Sequence, residues 1–199
     1  GGASWSPVAG SLVSFFAIAP TTPTTIYAQA MITYTCDYPE QDYTCTDEVL
    51  VKSTDGGATW GFSGPSWVVD LAIDPLTPRT LYAVTFYGDL LKSTDGGVTW
   101  TWPSVALTGV EALAIDPKTP TTIYAGTRNN VYCWGCWDTR QLFKSTDGGA
   151  RWSLTGWQGA GTSFPLLAVD PHAPNTLYLG TSYGMIKSTD GGMSWSLKL

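Results

Sequence analysis

One nine-residue phrase occurs four times in this chain. It reads KSTDGGATW at 52–60, KSTDGGVTW at 92–100, KSTDGGARW at 144–152 and KSTDGGMSW at 187–195. A second phrase alternates with it: FAIAPTTPTTIYAQA from Phe16, LAIDPLTPRTLYAVT from Leu71, LAIDPKTPTTIYAGT from Leu113 and LAVDPHAPNTLYLGT from Leu167. Trp60, Trp100, Trp152 and Trp195 stand 40, 52 and 43 residues apart. That spacing suits a four-stranded propeller blade, whereas helix-pair repeats run at about 34 residues.

Each unit reads as four short strands. LAID is the first, the TLYAVT type the second, the DLLKST type the third, and the segment after the Asp-Gly-Gly turn the fourth. Asp-Gly between apolar runs is a hairpin signal, because glycine takes positive φ at little cost. No apolar stripe of helical period has useful length, so helix is expected to be almost absent. The expected fold is therefore all-β: one propeller segment over 1–199, with blades at about 14–62, 68–102, 110–154 and 164–199. Residues 1–7 begin GGASW, the second half of the nine-residue phrase, and are expected to be an orphan fourth strand. Further blades or another chain are accordingly expected to complete the ring. Hydrophobic residues make up 43% and charged residues 13%, which excludes a solvated disordered tail. The formal charge of -6 and the scattered Lys and Arg exclude a nucleic-acid partner. No apolar run reaches the roughly 18–20 residues that span a bilayer.

The S-x-D-G-G-x-[TS]-W turns resemble the Asp box, or bacterial neuraminidase repeat, found in sialidases, sortilin-type receptors and xyloglucanases. The third copy departs from the pattern with Arg151, and the first copy of the companion phrase has Ala19 where the others have Asp. The resemblance covers nearly the whole chain and resembles bacterial extracellular propellers. It implies a fold rather than an activity, since such folds host many functions. Chemistry assigns the repeated residues a structural role. The carboxylates of Asp55, Asp95, Asp147 and Asp190 can accept N–H bonds within their own turns, and Trp60, Trp100, Trp152 and Trp195 can cover them.

Loops of an antiparallel blade alternate between its two ends. The DP turns and the Asp-Gly-Gly turns share one face, while the 2–3 loops and the links between blades share the other. Variation concentrates on this second face, with insertions around 35–48 and 128–141. The surplus aromatics Trp67, Trp102, Trp134, Trp137 and Trp157 also lie there and are candidate binding residues for a protein partner or a glycan. All four cysteines fall in the insertions, so Cys36–Cys45 and Cys133–Cys136 disulfides are the simplest pairing, with metal or free thiols as alternatives. Disulfides imply an extracellular, periplasmic or cell-surface location. Asp37, Glu40, Asp42, Asp47 and Glu48 lack calcium-loop spacing and read as a solvated acidic loop. No cofactor or metal is expected.

The sialidase resemblance implies three clamping arginines and a Tyr–Glu pair. Of Arg79, Arg128, Arg140 and Arg151, the first lies in a DP turn and the last in an Asp box, so the clamp is missing. A xyloglucanase-like enzyme needs two acids across a cleft. Asp70, Asp89, Glu111 and Asp138 are unexplained by the repeats. Asp70 and Glu111 both precede a first strand and are the catalytic candidates, but their registers differ by one, which turns them to opposite faces of an extended chain. The expected function is a non-catalytic, secreted or cell-surface binding and scaffold propeller, with a lectin-like module or part of a glycoside hydrolase as the alternative.

Overall fold

The computed structural model describes residues 12–38, 41–103, 107–129, 139–160, 166–181 and 184–198. They form fifteen strands and no helix. Sheet one runs β1 (Leu12–Ile18), β2 (Ile26–Tyr38), β3 (Gln41–Ser53) and β4 (Gly61–Ser66) in sequence order. Sheet two is β5 (Val68–Ile73), β6 (Leu81–Thr85) and β7 (Leu90–Ser93). Sheet three is β8 (Val110–Ile115), β9 (Ile123–Asn129), β10 (Thr139–Ser145) and β11 (Ser153–Ala160). Sheet four is β12 (Leu167–Val169), β13 (Leu177–Thr181), β14 (Gly184–Ser188) and β15 (Ser196–Lys198). These are four antiparallel meanders of a propeller-like fold. Residues 1–7, expected to form an orphan strand, lie outside the described residues. The chain divides into two compact units, Gly1–Val68 and Val69–Leu199.

Two details differ from the expected four-stranded pattern. Sheet two has three strands, its fourth reduced to a single bridge between Lys92 and Thr101. Pro103 follows at once and brings no N–H to a ladder. The first insertion is not an irregular loop. Met31 through Tyr38 pairs residue by residue with Gln41 through Glu48, so β2 and β3 simply continue as a longer hairpin. Cys36 and Cys45 are disulfide-bonded across it, with Cα atoms 5.8 Å apart.

The four S-T-D-G-G turns share one hydrogen-bond plan. The Ser53 hydroxyl donates to Asp55 Oδ1 (2.7 Å) and accepts from Gly57 N (2.8 Å). Asp55 Oδ1 accepts from Thr59 N (2.9 Å), and its Oδ2 from the Thr59 hydroxyl (2.6 Å). Trp60 Nε1 donates to Gly57 O (3.0 Å), which lays the indole over the turn. The same set recurs around Asp95 and Asp190. Both glycines of every copy have positive φ, for example 74° and 94° at Gly56 and Gly57, a region costly for side-chain-bearing residues. These bonds favour the ionised acid. Asp55 and Asp190 are held down to about 2, first by the hydroxyls of Thr59 and Ser194, and Asp95 lies lower still for the same reason. In the third copy Arg151 has no hydroxyl. Its backbone N still donates to Asp147 (2.8 Å), but its guanidinium approaches Asp147 Oδ2 only to 3.8 Å.

Within the second unit the sheets stack through two apolar clusters. Tyr82, Val84 and Leu90 of sheet two meet Val110, Leu113, Ile123 and Ala125 of sheet three. Ala112, Ala114, Tyr124 and Leu142 of sheet three meet Leu167, Leu177 and Leu179 of sheet four. Each sheet also carries a Tyr–Lys pair directly opposite one another on its second and third strands: Tyr27–Lys52, Tyr82–Lys92, Tyr124–Lys144 and Tyr178–Lys187. The ammonium lies 5.2–5.4 Å from the ring centroid in all four. From sheet two, Tyr82 Oη (3.0 Å) and Lys92 Nζ (2.8 Å) both donate to Gly148 O, the first glycine of the turn on sheet three.

The missing hydroxyl in the third turn yields a prediction. Arg151→Thr should restore the donor that Asp95 and Asp190 enjoy and lower the Asp147 pKa further. A depressed carboxylate pKa adds stability that is present above the unfolded value and lost as pH falls through the folded one. The variant should therefore keep its structure to lower pH than the parent, read by carboxylate ¹³C titration and acid unfolding. An unchanged Asp147 titration would contradict this account of the turn.

Candidate functional site

The face carrying the 2–3 turns and inter-sheet links is where the unrepeated chemistry gathers in the second unit. Its most prominent feature is the β6–β7 hairpin tip, Thr85-Phe86-Tyr87-Gly88-Asp89. Gly88 N donates to Thr85 O (2.8 Å), and Thr85 N to Asp89 O (3.0 Å), a tight turn that leaves Phe86 and Tyr87 at its two corners. They are 72% and 76% exposed and meet edge to face at 5.8 Å between centroids. The turn is pinned from below. Gly88 O accepts from Val110 N (3.1 Å), and Gly109 O accepts from Arg128 N (2.7 Å). A Cβ on Gly88 would lie 2.6 Å from Gly109 Cα, and one on Gly109 would strike Arg128 O. Two glycines at positive φ thus let three backbone segments touch, and the aromatic pair sits on a rigid base.

The two catalytic candidates are both committed to other work. Asp70, on β5, accepts from Leu113 N through Oδ2 (2.8 Å). Asp116 N bonds to Thr122 O across the sheet, so by alternation Leu113 N lies on the edge of β8 that β9 does not pair. Asp70 thus caps an open strand edge. Burial pushes its carboxyl above the usual range, partly offset by the N–H groups of Leu113 and Leu71. Glu111 is the extra residue of a bulge in β8, where the register with β9 shifts between Val110 and Ala112. Its carboxylate receives Arg140 Nε at 2.9 Å and Nη2 at 3.4 Å, and the Arg140 side chain is buried. Arg140 reaches it from β10, opposite Arg128 of β9.

Other acids are also engaged. Asp89 is exposed, and its N–H donates to the Thr85 hydroxyl (3.2 Å). Asp74, Asp116 and Asp170 each accept two backbone N–H bonds inside their DP turns. His172 is exposed beside Asp170 at 4.0 Å. In the first unit Glu48 accepts from Gln29 (2.6 Å), and Asp47 from Ser66 (3.4 Å). Among the described residues no group of three or more His, Cys, Asp or Glu could hold a metal ion.

The aromatic candidates divide. Trp102 is exposed. Trp67, between β4 and β5, has φ of 58°, rare for a bulky residue, and its N–H donates to Glu48 O (2.7 Å). Trp157 is half-buried against the cluster joining sheets three and four. Trp134, Trp137, Cys133, Cys136 and Asp138 lie outside the described residues, as does Glu40. Phe86 and Tyr87 were not singled out in the sequence, although two adjacent aromatics at a hairpin tip cannot both face a core that strand alternation serves. The Arg140–Glu111 pair was hidden because it spans 29 residues and depends on the bulge.

No protein-family model matches the sequence, and no curated protein does. Solved structures do resemble it. An ancestral GH74 enzyme superimposes with a TM-score of 0.70 at 22% identity, over 97% of this chain and 25% of that one. The GH74 xyloglucanase from Xanthomonas campestris gives 0.62 at 16%, over 92% and 38%. An acylaminoacyl peptidase from Pyrococcus horikoshii gives 0.53 at 7%, over 87% and 30%. The chain therefore spans between a quarter and two fifths of the chains it resembles. At these identities the likeness is one of fold, and it agrees with a propeller. No helix is long and apolar enough to cross a membrane.

The two carboxylates should respond differently to substitution. Asp70→Asn keeps an oxygen for Leu113 N and removes a buried charge, so stability should stay within about 1 kcal/mol. Asp70→Ala orphans that N–H and should cost roughly 1–3 kcal/mol. Glu111→Gln leaves the Arg140 guanidinium buried without its counter-charge and should cost about 2 kcal/mol or more. Urea unfolding of the three variants checks this order.

Proposed function

We propose that this chain is the non-catalytic, ligand-binding part of a secreted or cell-surface propeller built of Asp-box blades, and that its ligand is a glycan. The observation that carries the reading is the Phe86–Tyr87 pair, exposed on a turn whose backbone is fixed by Gly88, Gly109 and Arg128. Aromatic faces stack on sugar rings, and a rigid base spares the ordering cost of binding. Catalysis by this part is disfavoured because Asp70 and Glu111 satisfy a strand edge and a buried arginine. The fold likeness to GH74 enzymes, one of them a xyloglucanase, favours a glycan over a protein ligand. The Cys36–Cys45 disulfide supports an oxidising compartment.

Titration with xyloglucan oligosaccharides, followed by aromatic fluorescence and calorimetry, tests the proposal. Saturable binding is expected. Phe86→Ala with Tyr87→Ala should weaken it about tenfold or more while the circular dichroism stays that of the parent. Binding only to a protein partner, or hydrolysis of the oligosaccharide that disappears in Asp70→Asn, would replace this reading with the scaffold or the hydrolase.

A further inference from the structure

Three turns of the second unit repeat one dipeptide in one geometry: Asp74–Pro75, Asp116–Pro117 and Asp170–Pro171. In each, the Asp Oδ1 accepts the N–H of the second residue after it, at 2.8, 2.8 and 2.9 Å, and of the third, at 2.9, 3.1 and 3.2 Å. These bonds hold the carboxylate against its own main chain, and Oδ2 takes no part in them. An ionised Asp is one bond short of a five-membered ring with its own carbonyl carbon, and carboxylates serve as nucleophiles in covalent catalysis. The tertiary amide nitrogen of proline leaves readily once it is protonated. What an Asp-Pro bond lacks near neutral pH is a donor for that proton.

The fourth sheet's turn supplies one. The residue after proline is Leu76 in the first of the three turns, Lys118 in the second and His172, the chain's single histidine, in the third. Imidazole is the side chain suited to giving and taking protons near neutral pH. His172 Nδ1 lies 4.0 Å from Asp170 Oδ1, and its ring is exposed. The main chain beneath it is tied at both ends. Its N–H donates to Asp170, and its carbonyl accepts from Lys118 Nζ of the neighbouring turn (2.5 Å). The Pro171 nitrogen thus lies in the chain between a carboxylate and an imidazole that face one another. Lys118 and, on β14, Lys187 are the other charged groups beside the turn. The N–H groups of His172 and Ala173 first, and the charges of His172 and Lys187 after them, hold the Asp170 carboxyl below the usual range.

We infer that the chain cleaves its own Asp170–Pro171 bond in mildly acidic solution, with Asp170 as nucleophile and His172 as acid. Asp170 Oδ2 adds to the Asp170 carbonyl carbon, the imidazolium of His172 gives its proton to the Pro171 nitrogen, and the C–N bond breaks. This leaves a cyclic anhydride on Asp170 and Pro171 as a new amino terminus. Water opens the anhydride to two carboxylates. Its two protons go to the imidazole, which is restored, and to the proline amine. The cut leaves sheet four assembled. Leu167, Ala168 and Val169 stay paired with Leu179, Tyr178 and Leu177 across it, and Asp170 N stays bonded to Thr176 O (2.9 Å). This activity is independent of glycan binding and needs no partner.

Incubation of the purified chain across a pH series, read by mass spectrometry under denaturing conditions, tests this. Fragments ending at Asp170 and beginning at Pro171 should accumulate fastest at about pH 5–6, where carboxylates are ionised and imidazoles protonated. The rate should fall on either side. His172→Ala should slow the cut at least about tenfold. Asp170→Asn keeps an oxygen for the two N–H groups but removes the nucleophile, and should stop it. Circular dichroism should show both variants folded. Leu76→His places the same acid in the first of the three turns and should open Asp74–Pro75, which stays whole in the parent. A parent chain that remains intact, a cut indifferent to His172→Ala, cleavage that rises steadily into strong acid at all three Asp-Pro bonds alike, or a folded Leu76→His variant without the new cut would each overturn the inference.

Discussion

The hydrogen bonds that Tyr82 and the half-buried Lys92 give to the Gly148 carbonyl are what the junction of sheets two and three depends on. They need three things to be right at once. The turn must present its first glycine's carbonyl outward, which the Asp and Ser bonds and two positive-φ glycines secure. The Tyr and Lys must lie opposite one another on adjacent strands, which sets the register of the second and third strands. The ammonium must be partly stripped of water, and burial accordingly lowers the Lys92 pKa while Asp147 and Asp74 pull it back up. The apolar clusters then fill in around a spacing the polar contact has set. Burial also pushes the Tyr82 phenol up to about 12, so it remains a donor throughout the ordinary pH range.

Much of this was legible in the sequence because the repeat states it four times. The all-β class, the order of strands within each repeat and the hydrogen-bonding role of the turn aspartates follow from local chemistry recurring at one period. The Lys of KST and the Tyr of the TLYA phrase were visible as repeated letters, but their partnership was not. It is a cross-strand contact that then reaches the next repeat, and nothing local demands it. Irregular features were harder. The first insertion looks like a loop because it is rich in Asp, Tyr and Thr, yet Thr and Tyr suit strands, and the structure pairs them. The reduced fourth strand of sheet two turns on a single proline.

The two acids show how a register argument can miss what positions a side chain. Strict alternation sends Asp70 and Glu111 to opposite faces. In the structure it is a bulge that places Glu111, and a buried arginine that holds it. Both acids look unexplained when only the repeats are considered, and both are explained by bonds between elements far apart in sequence. The aromatic turn is the reverse case. Its residues are adjacent, ordinary and short-range, and their significance comes from the glycine contacts beneath them.

The contact between successive sheets has a direction. Between sheets two and three the donor pair belongs to the earlier sheet and the acceptor turn to the later one, and Tyr124 and Lys144 of sheet three likewise stand beside Gly191 of sheet four. A chain emerging from a ribosome therefore exposes a finished Tyr–Lys cradle before the turn that will fill it has been made. Each new hairpin condenses onto a template already in place, and the array lengthens from its amino-terminal side as a zipper closes, tooth after tooth. A sheet deleted from the middle would still leave a cradle facing a turn of the same chemistry. Duplication and loss of whole repeats are thus tolerated by the very bond that holds neighbours together.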